Sequence, residues 1–79
     1  MLTKVKMPRV GENVTTVFIV EIKDLVGRDV LEGEILICVE TDKATIEIAS
    51  PVSGKVVNYL VNIDDEISTG TAYATIETS

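Results

Sequence analysis

The sequence predicts an all-β domain made of two similar halves, and three observations support this. Apolar residues make up 46% of the chain and are mostly Val and Ile, the branched residues that favour strands. They fall into short runs bounded by Gly, Pro and charged residues. The chain also repeats itself at an offset of 37 residues, in the pairs Gly33 and Gly70, Val30 and Ile67, Leu36 and Tyr73, Val39 and Ile76, and Glu40 and Glu77. We therefore expect two four-stranded units packed face to face.

The first half begins with two strands separated by a loop. Leu2 to Met7 alternates between apolar and polar residues, and Pro8 ends this strand. Residues 9–13 form a loop. Val14 to Ile22 is a long β-run dense in branched residues, which we expect to be a strand buried over much of its length.

A polar corner follows, from Lys23 to Gly33, with a short strand around Val30. Gly27 and Gly33 mark its turns, because glycine accepts positive φ. The remaining predicted strands are Ile35 to Val39, Thr45 to Ala49 and, after the turn Pro51 to Gly54, the run Lys55 to Val61.

The segment Glu40 to Ala44 is a polar break between two strand-like runs, which predicts a β-hairpin. Asp42 and Lys43 then lie at its tip, where a side chain points into solvent. Lys43 would thus be presented to other proteins. A lysine in a turn can also be only a solubilising charge.

Length and charge limit the functions open to this chain. Its 79 residues correspond to one domain, residues 1–79, which buries only roughly 60% of the surface that the unfolded chain exposes. The net charge is −6, and the aromatic residues amount to only 4% of the chain. A nucleic acid is therefore not an expected partner, and proteins with basic surfaces are favoured.

The chain offers little for catalysis, metal binding or membrane insertion. It contains no histidine, so Cys38 has no imidazole base and is expected to be a buried residue in a reducing compartment. Asp64, Asp65 and Glu66 are adjacent and do not converge as metal ligands. We expect no metal site. No apolar run approaches the length of a membrane span, and Met1 to Met7 is too short and polar for a signal peptide.

The segment Glu-Thr-Asp-Lys-Ala, residues 40–44, resembles the modification site of lipoyl domains from acyltransferase components of 2-oxo acid dehydrogenase complexes. In that family a glycine lies sixteen residues before the modified lysine, an acidic residue three before it and a glycine eleven after it. Gly27, Glu40 and Gly54 match those positions relative to Lys43. The resemblance runs from about residue 5 to residue 77.

Two departures from the family pattern concern the corners. The first corner reads Gly27-Arg28-Asp29 where the family usually has Gly-Asp, and Asp64 replaces the glycine of the second corner. Related biotinyl domains carry Met-Lys-Met at the hairpin, where this chain has Asp42 and Ala44 around the lysine.

The resemblance implies a flattened β-barrel of two four-stranded antiparallel sheets with quasi-two-fold symmetry. It implies that lipoic acid is attached covalently to Lys43. It also implies which residues a lipoate ligase or lipoyl synthase recognises: Glu40, Asp42, Ala44, Gly27 and Gly54. The loop of Gly11, Glu12 and Asn13 corresponds to one that helps the decarboxylase recognise its own domain; a plain connector is the alternative.

The function implied is that of a non-catalytic carrier, a swinging arm for acyl groups and reducing equivalents. Its partners would be a thiamine diphosphate-dependent 2-oxo acid decarboxylase, an acyltransferase core and dihydrolipoyl dehydrogenase. The expected location is the cytoplasm in bacteria or archaea and the mitochondrial matrix in eukaryotes. Two alternatives remain: a biotinyl carrier domain of a carboxylase, and a small β-barrel interaction module without a prosthetic group.

Overall fold

The computed structural model describes residues 1–78, and these residues form eight β-strands. They are β1 (Leu2–Lys6), β2 (Thr16–Ile22), β3 (Asp29–Val30), β4 (Ile35–Glu40), β5 (Thr45–Ala49), β6 (Gly54–Tyr59), β7 (Glu66–Ser68) and β8 (Ala72–Glu77). No helix long and apolar enough to cross a membrane occurs within the described residues.

The strands form two four-stranded sheets in which every neighbouring pair is antiparallel. One sheet has the order β1-β8-β6-β3 and the other the order β5-β4-β2-β7. The molecule measures 36 × 21 × 17 Å along its principal axes, so it is elongated. The prediction of an all-β fold with two four-stranded antiparallel sheets is confirmed.

The quasi-two-fold symmetry is visible in the strand register. Phe18 pairs with Glu40 in one sheet, and Lys55 pairs with Glu77 in the other. Both members of the second pair lie 37 positions after those of the first, as the repeat requires. A β-bulge follows Ile19 in β2, and another follows its repeat mate Val56 in β6.

The short strands exchange partners between the halves. β3, from the first half, pairs with β6 of the second half, and β7 pairs with β2 of the first. Neither sheet is therefore built from one half of the chain alone. The expectation that each half of the chain forms its own four-stranded unit was therefore wrong. The alternation of apolar residues indicates which face of a strand is buried, but it does not identify the neighbouring strand.

The hydrophobic core lies between the two sheets and draws on both halves. Repeat mates are buried alike, since Leu36, Tyr73, Val39 and Ile76 are all 0% exposed. Burying one such side chain stabilises the fold by about 1.5–3 kcal/mol. Cys38 is also buried, at 7% exposed, as predicted.

β2 differs from its prediction. It begins at Thr16, and its residues alternate between buried and exposed instead of being buried over much of the length. Val17 and Ile19 point into the core, while Phe18 and Val20 lie on the outer face. The expectation was wrong because this strand belongs to an antiparallel sheet with one face toward solvent.

Candidate functional site

The predicted hairpin is present, with Lys43 at its tip. β4 ends at Glu40 and β5 begins at Thr45, and these two residues are in register. The amide of Thr41 donates a hydrogen bond to the carbonyl oxygen of Ala44 at 2.8 Å. Four residues thus reverse the chain, and Asp42 and Lys43 occupy the outermost positions.

Thr41 organises this turn through its side chain. Its Oγ1 accepts hydrogen bonds from the amide nitrogens of Lys43, at 3.3 Å, and Ala44, at 3.2 Å. The same hydroxyl donates a hydrogen bond to the carbonyl oxygen of Ala44 at 3.2 Å. Sequence analysis did not single out Thr41, although threonine hydroxyls commonly bond to nearby backbone groups in turns.

The side chain of Lys43 is exposed and available for covalent attachment. In residues 1–78 the only ion pair joins Lys23 to Glu21, so the ammonium group of Lys43 is not held by a carboxylate. An open space of about 350 Å³ borders the turn, lined by residues 40–45. A primary amine on a flexible stem can form an amide with a carboxylic acid, so these residues fit a prosthetic group attached through a carboxyl.

Carboxylates surround the lysine. Glu40 and Asp42 are both exposed beside it, so an approaching protein meets negative charge here. The described residues contain no group of three His, Cys, Asp or Glu side chains able to hold a metal ion. The site can therefore present an amine and attract a basic surface.

The loop between β1 and β2 reaches the lysine turn. The Arg9 guanidinium donates to the carbonyl oxygen of Glu12 at 2.6 Å and contacts that of Gly11 at 3.4 Å, which holds the loop in shape. Asn13 lines a groove of about 210 Å³ together with Asp42. The structure thus brings the predicted partner-recognition loop next to the hairpin, and its role stays a prediction.

Gly54 lies in the other sheet, and Gly27 lies in the turn that precedes β3 of that sheet, so neither is at the lysine turn. The amide of Gly27 donates to the carbonyl oxygen of Val56 at 2.8 Å, and Gly54 is in register with Val30. Any influence of these glycines on modification of Lys43 must therefore pass through the fold.

The two glycines are favoured for different reasons. Gly27 has φ of 85°, with no atom near where a Cβ would stand. A Cβ on Gly54 would instead collide with the backbone carbonyl oxygen of Glu77. Asp64, which replaces the second-corner glycine, has φ of 76°, a conformation that Asp tolerates better than most residues.

Sequence comparison places the chain that forms this hairpin in a known family. Residues 3–77 match the Biotin_lipoyl family, described as "Biotin-requiring enzyme". The chain belongs to this biotin/lipoyl family. The match includes residues of all eight strands, from the second residue of β1 to the end of β8.

Relatives of known name are acyltransferase chains. The chain is 42% identical, over 74 residues and 94% of its length, to the "Dihydrolipoyllysine-residue acetyltransferase component of pyruvate dehydrogenase complex" of Corynebacterium glutamicum. Further relatives, from bacteria and from yeast, are also named as acyltransferase components of dehydrogenase complexes. The chain spans 11–19% of the length of these relatives.

Solved structures of a lipoyl domain and of a carboxylase share the fold of this chain. The lipoyl domain of the 2-oxoglutarate dehydrogenase complex from Azotobacter vinelandii superposes with a TM-score of 0.72, at 20% identity and 95% coverage of both chains. A single-chain, multi-domain long-chain acyl-CoA carboxylase gives a TM-score of 0.78, at 20% identity, over 99% of this chain and 7% of the carboxylase. The fold alone therefore does not distinguish a lipoyl group from biotin.

Phe18 is a site residue that sequence analysis missed. Its side chain is 49% exposed and lines the same groove as Glu40 and Asp42. The strand was expected to be buried, which hid the ring among core residues. Its repeat mate Lys55, a charged residue, was a signal that this position faces solvent.

Proposed function

We propose that Lys43 carries a lipoyl group on its ε-amine and that the domain is the swinging-arm carrier of a 2-oxo acid dehydrogenase complex. The observation that carries the proposal is the exposed Lys43 at a hairpin tip, with Asp42 and Ala44 beside it. Methionines occupy those two positions in the related biotinyl domains. The names of the acyltransferase relatives support the same choice.

The protein's own contribution is to fix the base of the arm. The turn hydrogen bonds of Thr41 hold the backbone of Lys43 and Ala44, so the amine projects from a defined point on a stable sheet. When bound, the dithiolane of the lipoyl group would supply the acyl and electron transfer chemistry. A tether at a fixed point raises the local concentration of that group at each partner's active site.

The enzymes that would act on the arm are separate from this domain. They are a thiamine diphosphate-dependent 2-oxo acid decarboxylase, an acyltransferase core and dihydrolipoyl dehydrogenase, with a lipoate ligase or lipoyl synthase to install the group. The acidic residues around Lys43 suit partners with basic contact surfaces. Such complexes would place the protein in the bacterial or archaeal cytoplasm or in the mitochondrial matrix.

Intact mass of the protein from its native host tests the proposal. We expect the mass increase of one lipoyl group, and none in a Lys43→Arg variant, which keeps the charge but lacks a comparable amine. A biotinyl increase would assign the domain to a carboxylase, and an unmodified protein would favour an interaction module. Incubation with purified lipoate ligase, lipoate and ATP, beside biotin ligase with biotin, gives the same comparison in vitro.

A further inference from the structure

The internal symmetry supplies a control for the surface next to the lysine turn. In the second half, Lys55 lies at the centre of a row across the outer face of its sheet. It is in register with Glu77 on one side and with Asp29 on the other, and all three are exposed. The row thus places a lysine in register between two acidic residues, an arrangement of opposite charges that is favourable on neighbouring strands, although within residues 1–78 Lys55 forms no close ion pair with either one.

The equivalent row of the first half lacks this cation. Phe18 takes the place of Lys55 and is in register with Glu40 on one side and Glu66 on the other. Directly paired residues point to the same face of a sheet, so the ring lies between two exposed carboxylates. We call Glu40, Phe18 and Glu66 the anionic aromatic row.

The fold does not require a phenylalanine at this position. Lys55 occupies the same place in the same strand geometry, with a bulge immediately after the next residue in both strands. An aromatic ring left about half exposed contributes less to stability than a buried one. The second half thus shows that a hydrophilic residue suffices, and the ring of Phe18 calls for another explanation.

We propose that the anionic aromatic row binds an arginine side chain of the enzyme that attaches the lipoyl group to Lys43. The proposal rests on the proposed function and adds how the modifying enzyme recognises the domain. A guanidinium stacks on an aromatic face and forms strong hydrogen bonds with carboxylates. It would fill the position that Lys55 fills in the other half, between two negative charges.

Other occupants fit the row less well. An apolar side chain, or the dithiolane of the arm itself, would cover the ring of Phe18 but leave Glu40 and Glu66 without a partner in a desolvated contact, which is unfavourable. Lysine would satisfy the charges, yet its compact ammonium does not stack as a planar group does. The combination of ring and paired carboxylates selects a guanidinium.

The location favours the modifying enzyme over partners that act later. Phe18 and Glu40 line one groove with Thr41 and Asp42, so the row adjoins the turn. An enzyme that acylates the ε-amine of Lys43 must contact the base of the arm. A partner that works on the distal end of a long arm has no such requirement.

Steady-state lipoylation tests the proposal, with purified lipoate ligase, lipoate and ATP and with the domain as the varied substrate. The Phe18→Lys variant makes the first half resemble the second half, a change that this strand geometry already accommodates. We expect its KM for the domain to rise about tenfold with little change in kcat, because a binding contact is lost and its cation repels the guanidinium. Glu66→Gln should raise KM by a smaller factor, since it removes one charge and keeps the shape.

Leu2→Lys is the matched control. Leu2 is 63% exposed and lies opposite Glu77 in the other sheet. The Leu2→Lys substitution therefore also replaces an exposed apolar residue next to a glutamate with lysine. The KM of the Leu2→Lys domain should equal that of the domain with the native sequence. A Phe18→Lys domain with native KM, or an equal rise in Leu2→Lys, would overturn the proposal.

The assay separates this proposal from the one on which it rests. If the native sequence accepts no lipoyl group at all, the carrier function itself fails. If it is modified and a folded Phe18→Lys domain reacts with native KM, only the arginine contact fails. Should Phe18→Lys not fold, which circular dichroism would show, Glu66→Gln alone decides: a native KM in that variant overturns the contact.

Discussion

The hydroxyl oxygen of Thr41 lies 3.2 Å from the amide nitrogen of Ala44, across the turn that carries Lys43. Replacing Thr41 with valine keeps the shape and removes this acceptor. We expect the free energy of unfolding to fall by about 1 kcal/mol and amide exchange at Lys43 and Ala44 to accelerate. Urea denaturation and hydrogen exchange measure the two effects. Thr41→Ser keeps the hydroxyl and should stay close to native; a valine variant with native exchange at both amides would show that Oγ1 does not hold the turn.

Gly27 and Gly54 should respond differently to substitution by alanine. At Gly54 a Cβ would meet the backbone carbonyl of Glu77, so Gly54→Ala must displace strand β8 and should destabilise by about 3 kcal/mol or more. Gly27→Ala meets no neighbouring atom, and only its φ of 85° opposes it, at about 1–2 kcal/mol. Thermal and urea unfolding give this ranking, and equal losses would contradict it.

Lipoylation of the same two variants then tests how these glycines act on Lys43. Gly54 lies in the sheet opposite the hairpin and Gly27 in the turn that leads into it, so we expect modification rates to follow the folded fraction. A folded Gly27→Ala domain that is modified slowly would instead indicate direct contact between this corner and the modifying enzyme.

The hairpin and the repeat could be predicted because local patterns determine them. Apolar runs on both sides of Glu40 to Ala44 leave few structures other than a turn, and the offset of 37 residues relates the register of Phe18 to that of Lys55. Tip position and exposure of Lys43 follow from the same local arguments. Neither property depends on which strands pair across the sheets.

The exchange of β3 and β7 could not be predicted in this way, because period-two alternation does not identify the adjacent strand. The outer-face position of Phe18 was missed for a related reason. A run of branched and aromatic residues looks continuous in the sequence, and only the sheet type determines which alternate residues face solvent. The role of Thr41 depends on turn hydrogen bonds that many sequences could form.

The acidic residue three positions before Lys43 has a repeat mate that serves as its control. Glu40 and Glu77 end β4 and β8 at equivalent places. We expect Glu40→Gln to slow lipoylation several-fold, on the order of 1 kcal/mol, because a charged contact with the modifying enzyme is weakened. Glu77→Gln should react at the native rate. Purified ligase and intact mass over time measure both, and equal rates for the two variants would count against guidance by Glu40.

Stability at alkaline pH should depend on Tyr73. Its side chain is 0% exposed, and among residues 1–78 its hydroxyl finds no hydrogen-bond partner. Burial is the main cause that raises the pKa of Tyr73 to about 12 from an ordinary value of 10.0, with Tyr59 as a smaller one. Below pH 10 the phenol is protonated in both states. Between about 10 and about 12 the unfolded chain loses the proton and the folded domain keeps it, so the free energy of unfolding falls as pH rises.

The Tyr73→Phe variant should remove the part of this pH dependence that Tyr73 contributes. We expect its stability near pH 7 to lie within about 1 kcal/mol of native, because the hydroxyl it lacks has no partner. The native domain should lose roughly 2–3 kcal/mol more than the variant between pH 9 and pH 12, from the size of the pKa shift. Urea unfolding at several pH values measures the difference, and parallel curves would show that Tyr73 does not titrate with folding.

Lys43 itself should separate folding from function. Its exposed side chain lies at a turn tip and makes no ion pair in the described chain, so Lys43→Ala should change the free energy of unfolding by no more than about 0.5 kcal/mol. All lipoylation, and therefore all reductive acylation by the decarboxylase, should disappear, because no other lysine lies at a hairpin tip between these two strands. Urea unfolding and intact mass after treatment with ligase measure the two effects on one sample.

Lys43→Arg is the charge-matched control and should also remain unmodified. A lipoyl group on either variant would move the attachment site to another lysine, among Lys4, Lys6, Lys23 and Lys55, and peptide mapping would then identify it.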